Sequence, residues 1–318
     1  MTPLLWIIVF ILSLAAMVKG ADWVLNESKK IGLWLGLSPF VVGVLIVGFG
    51  TSAPELVSSS AGVLSGIPEI PVANVFGSNI ANILLIVGIT AVASRKHLSI
   101  STNIVDVEIP IFILATVLLV GVTHDGLVTI FESLLLLVGF FVYILYNLFY
   151  RNESEPVRGT RALAASDRKP PTALELFLLL LGFVGLIGGA NYLIQSVVAL
   201  SGIFHIAVGI ITILAVAVGT SLPEFIVSIK AAFQGDTDLS IGNIFGSNAF
   251  NALMVVGLPG LISRLTLDTP TLTIGLPTFA AVSLIFAFSG LSRRIHVWEG
   301  AFYLLIYVLF VVKLFGFS

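Results

Sequence analysis

GFGTSAPELVSSS, residues 48–60, lies inside an apolar run that reads VVGVLIV just before it. A proline followed at once by a glutamate, Pro54 and Glu55, is an unexpected pair in such a segment. The construction returns as GTSLPEFIVSIK from Gly219, with Pro223 and Glu224. Glu55 and Glu224 are 169 positions apart, and the match runs well beyond them. VFGSNIANILLIVGI (75–89) answers IFGSNAFNALMVVGL (244–258), and GADWVL (20–25) answers GANYLI (189–194), all at the same offset. Chance supplies one GTSxPE, but hardly three blocks in one register. The chain carries a duplicated unit.

Composition says where that unit sits. Of 318 residues, 58% are hydrophobic and only 10% charged, with mean hydropathy +1.12. A soluble domain has about 25% charged residues. This much apolar surface belongs in a bilayer. A net charge of −2 gives no nucleic-acid footprint, and the absence of cysteine excludes disulfides, thiolate metal sites and a cysteine nucleophile. The apolar start at Leu4 lacks a basic leader and a cleavage site, so it reads as a first membrane helix.

A span needs roughly 20 apolar residues. Ten segments fit, at about 3–26, 38–65, 71–93, 103–122, 127–150, 172–198, 204–233, 239–262, 270–290 and 296–316. The expected fold is therefore an all-α integral membrane protein. A first five-helix repeat (1–150, motif 48–89) is joined by a linker (151–171) to a second (172–318, motif 217–258). An odd number of spans per copy turns the second copy over, giving the inverted topology of many secondary transporters, whose sites lie at the midplane. Lys and Arg collect on the cytoplasmic side. With both termini outside, 12 of 15 basic residues fall inside, including those of a cytoplasmic 151–170 loop. The expected location is the cell membrane.

An ionised carboxylate at mid-membrane costs several kcal/mol or more. No basic residue lies mid-span to pair with Glu55 or Glu224, so a bound cation or a proton is the available compensation. Residues three and four apart share a helix face. Thr51 and Ser52 therefore flank Glu55, and Thr220 and Ser221 flank Glu224; Ser78 with Asn82 and Ser247 with Asn251 follow the same spacing. Each proline lacks an N–H, which frees the carbonyl four residues back, at Gly50 and Gly219, and loosens neighbours such as Gly48 and Ala217. The resulting donor set is all hard oxygen. Calcium takes about 6–8 such oxygens, whereas magnesium keeps its waters and zinc or copper prefers His or Cys. One Ca²⁺ or two Na⁺ would neutralise two glutamates, so competition for them is a sufficient basis for exchange.

GTSAPE with GSNIAN, repeated as GTSLPE with GSNAFN, resembles the repeats of the calcium/cation antiporter superfamily, specifically its sodium/calcium exchanger-like microbial members. The resemblance covers essentially the whole chain. It implies alternating access, with the first helix of each half sliding against a fixed core. It also implies that Glu55 and Glu224 are calcium ligands, joined by the backbone carbonyls of Thr51 and Thr220. Flanking sodium sites would use Ser52 and Ser78 on one side, Ser221 and Ser247 on the other, with the carbonyls of Gly48 and Ala217. Asn82 and Asn251 would line the centre. Several members have aspartate where this chain has Asn251, which speaks against potassium dependence. The proton/calcium branch typically has GNAxE in place of GTSxPE.

The leading reading is a Ca²⁺/Na⁺ antiporter, not an enzyme, without a resident cofactor, in the lipid bilayer, and functional as a monomer with no obligate protein partner. A H⁺/Ca²⁺ antiporter of the same fold is the alternative, and a passive cation channel a further one. No HExxH motif and no paired intramembrane aspartates suggest an enzyme. The glycines at 43, 48, 50, 77 and 88 are read as packing positions, and Asp22 as a helix-end group. Glu69, Asp106, Glu108, Asp125, Asp236 and Asp238 are expected in solvent at span ends.

Overall fold

The computed structural model describes residues 3–93, 98–99, 108–150, 170–203 and 221–314. These are helical apart from four two-residue strands and their turns. The helices are α1 (Pro3–Leu35), α2 (Pro39–Leu64), α3 (Ile70–Ala93), α4 (Ile109–Thr123), α5 (Ile130–Leu148), α6 (Ala173–Ile203), α7 (Leu222–Phe233), α8 (Thr237–Ile262), α9 (Thr271–Leu291) and α10 (Val297–Leu314). Eight of them are long and apolar enough to cross a membrane; α4 and the described part of α7 are shorter. The expected linker lies outside the described residues apart from its last positions, as does most of the expected span at 204–233.

Burial sorts the helices into a centre and a shell. In α3 and α8, 78% and 83% of the apolar window is buried, against 22% in each of α1, α6 and α10. The shell displays apolar side chains such as Phe131, Trp298 and Phe288, an arrangement that only lipid satisfies. In the centre, α8 lies against α2 with backbone touching backbone. A Cβ on Gly43 would sit 2.5 Å from the Leu239 carbonyl, and one on Gly246 would sit 2.4 Å from the Val44 carbonyl. Without a hydrophobic drive between helices in lipid, such small-residue contacts carry the packing. A Cβ on Gly48, Gly50 or Gly88 would also meet a neighbour, at 2.9, 2.3 and 3.0 Å, as the sequence leads one to expect, whereas Gly77 meets no atom within 4 Å. Phe76 stacks on Phe279 at 5.1 Å, and Phe245 packs on Phe286 at 5.0 Å. These repeat-related rings anchor the two GSN blocks to their neighbours.

The repeat is visible in local geometry. The chain breaks at Ser52 (φ −86°, ψ 5°) and at Ser221 (φ −90°, ψ 8°) before a new helical segment starts. Those segments end alike, at Gly66 (φ +82°) and Gly235 (φ +83°). Ile67 N–H donates to the Gly62 carbonyl at 3.0 Å, and Asp236 N–H to the Ala231 carbonyl at 2.9 Å. This is a left-handed cap, which glycine adopts without strain.

Several expectations change. The first helix continues past residue 26 to Leu35, because its charges find partners. Lys29 pairs with Asp236, Lys30 with Glu27 and Glu175, and Asp22 with Lys230 at 2.7 Å. Asp236 is thus an ion-pair partner and not a free solvated group, and Asp22 is more than a helix-end group. Glu108 is buried, only 1% exposed, where solvent was expected. The strands form two antiparallel ladders, β1 (Leu98–Ser99) with β4 (Arg294–Ile295) and β2 (Leu127–Val128) with β3 (Leu265–Thr266). They tie together turns that are far apart in sequence.

Candidate cation site

The opening puzzle resolves in the break of α2. The proline does not sit within a continuous helix. The helix stops at Thr51, Ser52 makes the turn, and Ala53 begins the next segment, which places Pro54 in a first turn where its missing N–H has no partner to lose. Glu55 follows in that first turn, and Glu224 takes the same place after Ser221. A helix N-terminus carries partial positive charge and favours a carboxylate there. Next to each GSN block the helix widens into π-helical turns, at Ala81–Val87 and Asn251–Val255, and α2 does so at Gly43–Gly48. Such turns are frequent at functional sites.

Thr51, Ser52, Glu55, Ser78, Asn82, Ser221, Glu224, Ser247 and Asn251 are all buried, none more than 3% exposed. Hydrogen bonds link most of them across the halves. Ser52 donates to Glu224 Oε1 at 2.9 Å. Ser78 and Ser221 share a hydroxyl contact at 3.1 Å, and Asn251 Nδ2 donates to Ser78 Oγ at 3.3 Å. The Gly48 carbonyl accepts from Thr51 Oγ1 and from Ser247 Oγ, both at 3.2 Å. Among the serines, Ser78 meets Ser221, and Ser247 meets Gly48 beside Thr51. Thr220 and Ala217 lie outside the described residues.

Five buried oxygens here have no hydrogen-bond partner: Glu55 Oε1 and Oε2, Glu224 Oε2, Asn82 Oδ1 and Asn251 Oδ1. A buried acceptor left unmatched costs about 1–3 kcal/mol, more when charged. Five acceptors, two of them on one carboxylate, are an arrangement that a hard cation relieves. Calcium binds carboxylate and amide oxygens in flexible geometry. Among the described residues no cluster of three or more His, Cys, Asp or Glu occurs, so a transition-metal centre has no ligand set there.

Residues that the motif reading passed over hold this arrangement. Asn243 Nδ2 donates to Ser228 Oγ at 2.8 Å and to the Glu224 carbonyl at 3.3 Å, which fixes the start of α7. Asn74 Nδ2 donates to Ser59 Oγ at 3.2 Å in the same way one repeat earlier. Asn79 and Asn248 bond the amides of Asn251 and Asn82. All six keep the 169 offset, so the repeat itself is the signal that would have found them.

Comparison with known proteins bears on the family and the fold. The family model for the sodium/calcium exchanger protein matches residues 5–149 and 174–316. The sodium/calcium exchanger MaX1 of Methanosarcina acetivorans is 31% identical, over 97% of this chain and 98% of its own. The putative antiporter CaxA of Alkalimonas amylolytica is 30% identical over the same shares. The solved sodium/calcium exchanger from Methanococcus jannaschii shares the fold, with a TM-score of 0.83 over 98% of this chain and 99% of that one at 24% identity.

Proposed function

This chain belongs to the sodium/calcium exchanger protein family, and from that premise we propose that it exchanges Ca²⁺ for Na⁺ by alternating access of one central site. It is a multi-pass membrane protein and a cation antiporter. The observation that carries the choice of ion is the set of five unpartnered oxygens on Glu55, Glu224, Asn82 and Asn251. In this reading Ca²⁺ binds between the two glutamates with the Thr51 and Thr220 carbonyls. Na⁺ competes for the same carboxylates and uses the adjoining hydroxyls of Ser52, Ser78, Ser221 and Ser247 with the carbonyls of Gly48 and Ala217. Hydroxyl-rich flanks suit a small hard cation that keeps its charge, and they give a proton no added advantage.

The proposal includes ten spans, as two inverted five-helix repeats flanking a linker at 151–171, in a protein that works as a monomer. Support comes from the matching breaks at Ser52 and Ser221 and the matching caps at Gly66 and Gly235. It also includes both termini outside. Lys29, Lys30, Asp236 and Glu175 meet at one end, and the excess of Lys and Arg assigns that end to the cytoplasm in this reading. The test is calcium-45 uptake into proteoliposomes at clamped voltage, comparing outward Na⁺ with outward H⁺ gradients. Uptake driven by sodium alone is expected. Uptake driven by protons alone would replace the sodium reading with proton coupling at the same glutamates, and flux that needs neither gradient would make the protein a channel.

A further inference from the structure

Four asparagines form two reciprocal amide bonds between the halves. Asn82 Nδ2 donates to Asn248 Oδ1 at 3.2 Å, and Asn251 Nδ2 donates to Asn79 Oδ1 at 3.1 Å. The 169 offset converts one bond into the other. Each bond occupies the NH₂ end of one amide and leaves its oxygen, Asn82 Oδ1 or Asn251 Oδ1, buried without a hydrogen-bond partner. A carboxamide donates at one end and accepts at the other. Only the oxygen end binds a cation. A half-turn of the amide would present N–H groups to the ion and repel it.

We propose that Asn79 and Asn248 are positioning residues that set the cation affinity of the site, by holding the amide nitrogens of Asn251 and Asn82 so that their oxygens face the ion. This rests on the reading of the site as the transport site. The two holds differ in stiffness. Asn251 Nδ2 is also held by Ser78 Oγ at 3.3 Å, and Asn79 is itself fixed by donating Nδ2 to the Asn248 carbonyl at 3.1 Å. Asn82 Nδ2 donates to the Asn248 side chain, and Asn248 Nδ2 has no hydrogen-bond partner of its own. Losing the Asn248 acceptor therefore frees the Asn82 amide, whereas losing Asn79 leaves Asn251 a second tether.

The test is equilibrium calcium-45 binding to the purified full-length protein, read as a double-mutant cycle. Outer-shell partners of metal ligands change affinity by roughly 10–100-fold. Asn248→Leu is expected to weaken Ca²⁺ binding about tenfold, and Asn79→Leu by a smaller factor. In an Asn82→Ala background Asn248→Leu is expected to add nothing, because no amide remains to orient. Asn248→Asp, which keeps an acceptor, is expected to retain the contribution of Asn82. Should Asn248→Leu give no folded protein, Asn248→Ala makes the same comparison. Unchanged affinity in the single variant, or the same loss in both backgrounds, would overturn the proposal. Absence of Ca²⁺ binding by the unmodified protein would instead overturn the calcium reading of the site.

Discussion

Ser52 Oγ donates to Glu224 Oε1 at 2.9 Å, so the turn that breaks one helix supplies a hydrogen bond to the carboxylate carried by the other half. Neither oxygen of Glu55 accepts so close a hydrogen bond, and the Ser78 hydroxyl acts on it from farther away. The two acidic groups, equivalent in sequence, are unequal in place.

That inequality predicts unequal serines. A hydrogen bond to a charged group contributes about 1.5–3 kcal/mol, and one between neutral groups about 0.5–1.5 kcal/mol. Ser52→Ala removes the donor to Glu224, while Ser221→Ala removes a contact with the neutral Ser78. Ser52→Ala should weaken apparent Ca²⁺ affinity by roughly tenfold or more, and Ser221→Ala by less. Concentration-dependent calcium-45 uptake by the two variants measures this, and equal losses would contradict the asymmetry.

Glu55→Gln and Glu224→Gln should each bring calcium uptake to the level of empty vesicles while the protein stays folded. Glutamine keeps the volume and removes a charge that is expensive to bury. The thermal unfolding midpoint should therefore not fall. Normal transport by either variant would remove that glutamate from the site.

Asn251→Asp should make transport more dependent on pH. The amide nitrogen donates to Ser78 Oγ and Asn79 Oδ1. A carboxylate has no donor for either, and it adds a third negative charge that a proton or an extra cation must offset. Initial rates measured from acid to neutral pH should rise more steeply than in the parent, and the same profile in both would exclude Asn251 from the centre.

Asp22 and Lys230 join α1 to α7, and Lys29 with Asp236 joins α1 to the start of α8. The repeat-related positions are Asn191, Ala61, Val198 and Ile67, which carry no charge. Among the described residues the clasp exists at one end only. Partly exposed pairs contribute about 0.2–1 kcal/mol each, enough for a few-fold change in population. Lys230→Glu should speed maleimide labelling of a cysteine placed at the buried Ala231 position, in a chain that has no other cysteine. Asp22→Lys combined with Lys230→Glu should restore the slow rate.

Gly246→Ala should destabilise the protein, with a lower thermal midpoint and reduced uptake. Its Cβ would stand 2.4 Å from the Val44 carbonyl, and backbone cannot rotate away as a side chain can. Overpacking typically costs about 1–3 kcal/mol. An unchanged midpoint would show that the contact between α2 and α8 is looser than described.

The sequence by itself determined the membrane class, the repeat and most of the candidate site. Glu55, Glu224, their serines, Asn82 and Asn251 are legible because ionisable and amide groups are rare and expensive within an apolar run, and because the chain states the pattern twice. Helix propensity and hydropathy placed most of the described helices to within several residues, but they could not carry α1 to Leu35. That extension carries Lys29 and Lys30, whose partners Asp236 and Glu175 arrive from the other half of the chain. Glu108 and Asp236 likewise read as free groups in solvent, whereas Glu108 is buried and Asp236 is paired with Lys29. Tertiary structure alone decided that Ser52 serves Glu224, that Ser78 meets Ser221, and that Asn79 and Asn248 hold the amides of Asn251 and Asn82. Periodicity fixes which residues share a face of one helix. Which face of another helix it meets, and which end of an amide turns toward the centre, is set by long-range packing and by the need to satisfy every buried polar atom.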